Sequence, residues 1–194
     1  IMESGNNHKP LVSVIMSVYN TEDFLKESID SILSQTYENI ELVIVNDGSK
    51  DSSGNIIESY SNPNIIYIIN KNNLGLPASL NKALSYAKGK YIARMDSDDI
   101  ALSNRIEKQV QFLEKNPDVD VLGSSIKMLN SETWWPSPIK DQDIKARLFF
   151  RNSLWHPTIM FQKMLLNEKD FYYNESYLKC QDYELWTRFL KEIK

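Results

Sequence analysis

A single cysteine, Cys180, stands in the 194 residues, so no internal disulfide can form and a cross-linked secreted scaffold is excluded. A reducing, cytoplasmic setting fits that usage. Glycine is scarce, six in all, and none falls in the SVYNTEDF segment behind the first apolar run. That gap removes the Gly-rich dinucleotide fingerprint and the P-loop. No apolar run approaches the roughly 20 residues a helix needs to cross a bilayer, so membrane contact is expected only as a peripheral association, at the inner face. Positive charge is not in surplus either: the net charge is −4, and no Lys/Arg stripe is present to track phosphates, which argues against nucleic acid as a partner.

What is present is the balance of a globular domain, 42% hydrophobic and 25% charged. The length suits one domain. The opening IMESGNNHKP, residues 1–10, lacks the apolar core of a signal peptide and reads as a loose leader or an appended remnant. Residues 11–194 are expected to form a single unit, with 11–116 as one half and 117–194 as a smaller extension that completes the sheet.

The apolar periodicity then alternates. LVSVIMSV from Leu11, ELVIV at Glu41–Val45, IIYII at Ile65–Ile69 and YIARM at Tyr91–Met95 have the short, β-branched character of buried parallel strands. Between them, Leu25/Ile29/Ile32/Leu33, Ile56/Ile57/Tyr60 and Leu80/Ala83/Leu84/Ala87 recur at helical spacing, with Asn20 as the expected cap of the first helix. A further helix carries Ile106, Val110 and Leu113. The fold class is therefore α/β, a mainly parallel sheet flanked by helices. Beyond Pro117 the pattern predicts a strand near Asp120–Leu129, a Trp/Pro loop, a helix from Asp141, a strand near Trp155–Phe161 and a final helix.

In such open sheets ligands bind beyond the carboxyl ends of the strands, where loops bearing Asn20, Asp47 and Asp96 would converge. The sharpest feature is Asp96-Ser97-Asp98-Asp99. Carboxylates two apart on an extended segment project the same way and suit a hard cation, Mn²⁺ or Mg²⁺; the plainer reading is that Asp98, Asp99 or Ser103 caps the next helix. An EF-hand fails for want of its central glycine. Asp47, in the NDGS turn, offers a carboxylate to base or ribose donors, or merely shapes the turn. Tyr19 could cover a nucleobase. Asp182, at the start of an amphipathic helix, stays ionised there and suits a general base, or simply caps. His156 is a weaker metal or phosphate candidate beside a structural reading. Trp134 and Trp135 could form a platform for an acceptor sugar, or pack beneath a loop.

The segments VSVIMSVYN, ELVIVNDGS, NKNNLG, YIARMDSDD and QDYELW, in this order, resemble the family 2 glycosyltransferases over Leu11 to about Lys191. The resemblance implies a GT-A fold, Rossmann-like, of the nucleotide-diphospho-sugar transferase type. It implies an inverting transferase that takes a nucleotide-sugar, usually a UDP-sugar, to an acceptor hydroxyl with the help of a divalent metal. Ser17, Val18, Tyr19, Asp47, Lys71, Arg94, Asp96, Ser97 and Asp98 would hold the donor, Asp98 and Asp96 the metal, and Asp182 would be the base. The acid pair usual before that helix is Gln181-Asp182 here, which makes Gln181 an acceptor-side candidate. The acceptor would be a saccharide or lipid-linked saccharide of surface polysaccharide or glycolipid synthesis, and acceptor determinants are expected beyond residue 194. A donor-binding module without transfer, or a nucleotidyltransferase, are the rival classes.

Overall fold

A computed structural model describes residues 9–129 and 131–194. Residues 1–8 of the expected leader lie outside the described residues, while Lys9 and Pro10 are tied to the body. Tyr37 donates its hydroxyl to the Pro10 carbonyl at 2.5 Å, and the Asn39 amide donates to that of Lys9 at 2.7 Å.

Four parallel strands carry the fold: β1 (Val12–Val18), β2 (Ile40–Asn46), β3 (Ile65–Ile69) and β4 (Tyr91–Asp96). Between them run α1 (Glu22–Leu33), α2 (Ser53–Glu58) and α3 (Leu76–Tyr86), and α4 (Arg105–Lys115) follows β4. From the second half come β5 (Val121–Leu122) and β8 (Met160–Gln162), giving the sheet order β3-β2-β1-β4-β8-β5 with β8 antiparallel to both neighbours.

The period of 2 in β1 explains why helices can cover both faces. Val12, Val14, Met16 and Val18 point to the side packed by Leu25, Ile29 and Ile32 of α1 and by Ile106, Val110 and Leu113 of α4. Ile15, with Val43 and Val45, faces Leu80, Ala83 and Leu84 of α3. Leu185 and Trp186 of α7 (Gln181–Arg188) join that second layer. The chain leaves β1 toward β2 and β3, then returns to pair β4 on the other side of β1. The reversal opens a crevice at the carboxyl ends of β1 and β4, where Ser17 stands opposite Asp96 in register.

The second half departs from the sequence reading. In place of one strand over 120–129 there are two short ones, interrupted at Gly123-Ser124, where the Ser124 amide turns aside to the Thr158 hydroxyl at 2.9 Å. β5 joins the main sheet. β6 (Ile126–Lys127) pairs instead with β7 (Trp134–Trp135), so the tryptophans sit in a hairpin strand rather than a loop. Pro157 lacks an N–H to give a ladder, and His156–Thr158 form a 3₁₀ turn that delays β8 to Met160. The helix α5 (Asp141–Leu148) starts where expected, and α6 (Met164–Glu168) adds a short turn that periodicity did not signal. The cap of α1 is Thr21. Asn20 lies one residue earlier with φ of 53° and makes no side-chain cap to the helix; its side-chain Oδ1 accepts from the Lys50 amide at 2.8 Å. None of Asp98, Asp99 and Ser103 caps α4, whose cap position is Asn104.

Gly89, between α3 and β4, lies against the start of β1. A Cβ there would fall 2.5 Å from the Ser13 amide nitrogen and 2.8 Å from the Leu11 carbonyl oxygen, and backbone cannot yield as a flexible side chain can. Gly89→Ala is expected to cost about 3 kcal/mol and to lower the melting temperature by roughly 6–12 °C, measurable by thermal denaturation; an unchanged melting temperature would refute this packing.

Candidate active site

Three loops meet at the crevice, and side chains lace the first two together. The Asn20 amide donates to the Ser49 hydroxyl at 3.1 Å, that of Thr21 to the Ser53 hydroxyl at 3.1 Å, and that of Glu22 to the Asp51 carboxylate at 3.0 Å. In return the Glu22 carboxylate accepts from the Ser52 amide at 2.7 Å. Gly48, at φ of 73°, lets the NDGS turn approach the 70–75 loop so closely that a Cβ would meet the Asn72 carbonyl carbon at 2.8 Å. Only glycine meets both the torsion and the clearance.

Asp47 is buried beneath this junction. Its carboxylate accepts from the Asn70 side-chain amide at 2.8 Å and from the Leu74 and Gly75 backbone amides, each at 2.9 Å. Three donors occupy most of its acceptor capacity. Asp47 therefore organises the loop that leads into α3, a structural role beyond the turn-shaping reading, alongside its expected place near a base or ribose. Lys71 is exposed on the same loop.

The acidic cluster does not have the extended form expected of it. β4 ends at Asp96 and the chain turns through Ser97 and Asp98, so Asp96 and Asp98 differ in environment. Asp96 is half-buried and ion-paired with Arg94, while Asp98 and Asp99 are exposed. Arg94 is 2% exposed and pairs with Asp96 at the base of the cluster. Its Nε and Nη1 have no partner among the described residues. Arg105, which sequence reasoning missed, donates from Nη2 to the Arg94 carbonyl at 2.7 Å. Desolvation, and then the Arg94 charge, brings the Arg105 guanidinium down to about 10. Asp99 is pushed above the usual carboxylate value, first by desolvation and then by the charges of Asp96 and Asp98. A divalent cation would relieve that crowding.

No group of three or more His, Cys, Asp or Glu among the described residues could hold a metal unaided. Asp98 and Asp99 nevertheless supply hard, accessible carboxylate oxygens of the kind Mn²⁺ or Mg²⁺ accepts, which usually needs substrate phosphates to complete its shell. The donor set fits such an ion. His156 stands apart from it: it is buried, and its Nε2 shares a hydrogen with the Tyr173 hydroxyl at 2.7 Å.

Asp182 occupies the first turn of α7, after Cys180 turns the chain at φ of 57°. Asn152 donates from Nδ2 to its Oδ2 at 2.5 Å; Oδ1 accepts from no donor among the described residues. Tyr173 links the two halves of the site. Its hydroxyl is held protonated chiefly by burial, and the charges of Arg94, Asp182 and Asp96 all act on it. Of the other expected residues, Ser17 is half-buried at the crevice, Tyr19 is 45% exposed beside it, and Ser97 is buried. The Val18 side chain belongs to the core, leaving its backbone to accept from the Asp47 amide at 2.8 Å. Gln181 is buried at the start of α7. Trp134 and Trp135 are exposed in their own hairpin, Trp135 lying 5.6 Å from Trp155 between ring centroids.

A mainly parallel sheet with an acidic turn at its switch point has the arrangement of the GT-A fold of glycosyltransferases. The family description Glycosyl transferase family 2 matches residues 13–174, and the chain belongs to that family. It is 40% identical over 193 residues to an uncharacterised glycosyltransferase of Methanocaldococcus jannaschii, covering 95% of this chain and 66% of that one. It is 32% identical to WfgD of Escherichia coli, a UDP-Glc:α-D-GlcNAc-diphosphoundecaprenol β-1,3-glucosyltransferase, covering 94% and 70%. The structure of S. aureus TarS 1–349 in complex with UDP superposes with a TM-score of 0.77 at 26% identity, covering 90% of this chain and 53% of that one. The chain spans 66%, 59% and 69% of three of its curated relatives. Among the described residues no helix is long and apolar enough to cross a membrane.

His156 gives a pH signature. Burial first, and then the Arg94 charge, holds its imidazole well below the ordinary 6.5. As pH falls through that value the unfolded chain takes up a proton that the folded chain resists. The group's contribution is complete above 6.5 and is lost progressively towards the folded value. His156→Gln is expected to flatten the fall in melting temperature between about pH 7 and pH 5; a slope equal to that of the wild type would show that this ring does not resist protonation.

Proposed function

We propose that this chain transfers a sugar from a UDP-sugar to a hydroxyl of a saccharide or lipid-linked saccharide acceptor, with inversion. The setting would be surface polysaccharide or glycolipid synthesis, in the cytoplasm or at the inner face of its membrane. One observation carries the reading: Asp182, at the start of α7, has one carboxylate oxygen held by Asn152 and the other without a donor among the described residues, and its charge acts on the buried Tyr173 hydroxyl as those of Arg94 and Asp96 do. UDP bound to TarS and the lipid-linked acceptor of WfgD support the choice of donor and acceptor.

In this mechanism Tyr19, exposed at the end of β1, covers the base. Asp96, pinned by Arg94, accepts from ribose or sugar hydroxyls, and the 70–75 loop that Asp47 holds, with Lys71, borders the phosphates. Asp98, with Asp96 and Asp99 beside it, would hold the divalent cation, whose Lewis acidity would stabilise the charge developing on the departing diphosphate. Asn152 fixes one oxygen of Asp182, so the other takes the acceptor hydroxyl's proton as that oxygen attacks the anomeric carbon. The new C–O bond forms on the face opposite the breaking one, whose electron pair leaves with the nucleoside diphosphate. A single displacement inverts the centre.

Asp182→Asn is expected to lower turnover by roughly 10²- to 10⁴-fold, the usual contribution of a positioned base. UDP affinity, read by calorimetry, should stay within about twofold because the side-chain shape is kept. Parallel losses of binding and turnover would make Asp182 a structural cap. Wild-type protein that binds UDP but transfers nothing to any saccharide would favour a binding module.

A further inference from the structure

We propose that the outer end of α5 is a docking surface for an anionic lipid bilayer. The turn just past the end of the helix presents an apolar pair that no part of the described chain covers: Phe149 is 72% and Phe150 is 89% exposed. Isolated surface hydrophobes need no explanation, but two adjacent phenylalanines this open to water do. They are held in place. The Phe150 and Arg151 amides both donate to the Arg147 carbonyl at 3.0 Å, which continues the helical turn past Leu148. On the inner side of the same helix Leu148 is buried and Ile144 packs against the core, so the element is anchored from behind.

Charge selects the occupant. Between Ile139 and Arg151 the chain carries four cations, Lys140, Lys145, Arg147 and Arg151, against two acids, Asp141 and Asp143, although the whole protein is net negative at −4. Lys145 is committed to Asp141 at 3.0 Å, which leaves Arg147 and Arg151 flanking the two rings. Aromatic side chains among arginines suit the boundary between acyl chains and anionic headgroups; a purely apolar partner surface would leave those cations desolvated and unpaired.

Position gives the docking a use. Asn152, which holds Asp182, lies two residues from Phe150. A bilayer against this turn would bring the catalytic carboxylate alongside acceptors anchored in the membrane, a consequence that rests on the transferase reading, whereas the docking itself does not.

The test is co-sedimentation with vesicles of equal phosphatidylglycerol and phosphatidylcholine, against vesicles of phosphatidylcholine alone. Wild type is expected on the anionic vesicles and to be released by salt. Each cation near such a surface is worth roughly fivefold in binding, so Arg147→Gln with Arg151→Gln should weaken partition by roughly 30-fold. Phe149→Ser with Phe150→Ser should weaken it by about tenfold or more. The Phe149→Ser/Phe150→Ser variant should melt and bind UDP as wild type does, since both side chains are exposed; Arg151→Gln alone, at an exposed side chain where Arg147 is half-buried, should do the same and weaken partition by roughly fivefold. Equal partition onto neutral and anionic vesicles, or variants that partition like wild type, would overturn the proposal. So would self-association that is abolished by the Phe substitutions in a protein that ignores vesicles, because the occupant would then be a second copy. Vesicle binding in a protein that fails to take UDP would support the docking surface and count against the transferase reading.

Discussion

A guanidinium buried at the carboxyl end of a central strand is the constraint around which the crevice is organised. A charge removed from water must be paired, and Arg94, within a strand whose other side chains pack the core, has one ionic partner, Asp96. Removing Asp96 would leave the buried Arg94 guanidinium without its ion-pair partner. Asp96 is thus fixed before any ligand arrives, and the chain must turn directly after it. That turn carries Asp98 and Asp99 out to solvent. Arg105 of α4 accepts a depressed guanidinium value to lie beside Arg94, and the neutral state of His156 answers to the same charge. One buried cation therefore holds an acid in place at the turn, and adds to burial in lowering the values of Arg105 and His156.

The division of labour along the chain follows from this arrangement. The parallel half supplies a rigid floor, with loops stitched by Ser49, Asp51, Ser53 and the buried carboxylate of Asp47. The second half brings Asp182, Asn152, His156 and Tyr173 over that floor on short helices and turns, joined to the sheet through the antiparallel strand β8. Tyr173 stands where the halves meet, acted on by charges from both. A site for two substrates needs such a division: one side holds a donor firmly, and the other presents a proton acceptor to whatever hydroxyl approaches.

Much of the first half could be read from sequence because β1, β2 and β4 are buried on both faces, so their apolar runs are nearly continuous, and the partly buried edge strand β3 keeps a β-branched run. IIYII begins and ends as the strand itself does. The acids at the strand ends stood out for the same reason, against an otherwise apolar background. What periodicity could not show was where side chains spend their hydrogen-bonding capacity. Asp47 could be read as a ligand-facing carboxylate or a turn residue, but not as the anchor of Leu74 and Gly75, which lie 27 and 28 residues away. Arg105 and Asn152 carried no local signal, since each acts through a long-range contact. In the second half, two- and three-residue strands are too short for a period of 2 to register, and Pro157 imposes a 3₁₀ turn on a stretch whose composition suggests a strand.

The central claim is that the acidic turn above Arg94 receives the diphosphate of a nucleotide-sugar through a divalent cation. Calorimetric titration of UDP into wild type and Asp98→Ala, with Mn²⁺ and again with chelator, tests it most directly. The account requires metal-dependent binding in the wild type that Asp98→Ala abolishes or severely weakens. UDP binding that is indifferent to both chelator and Asp98→Ala would contradict it.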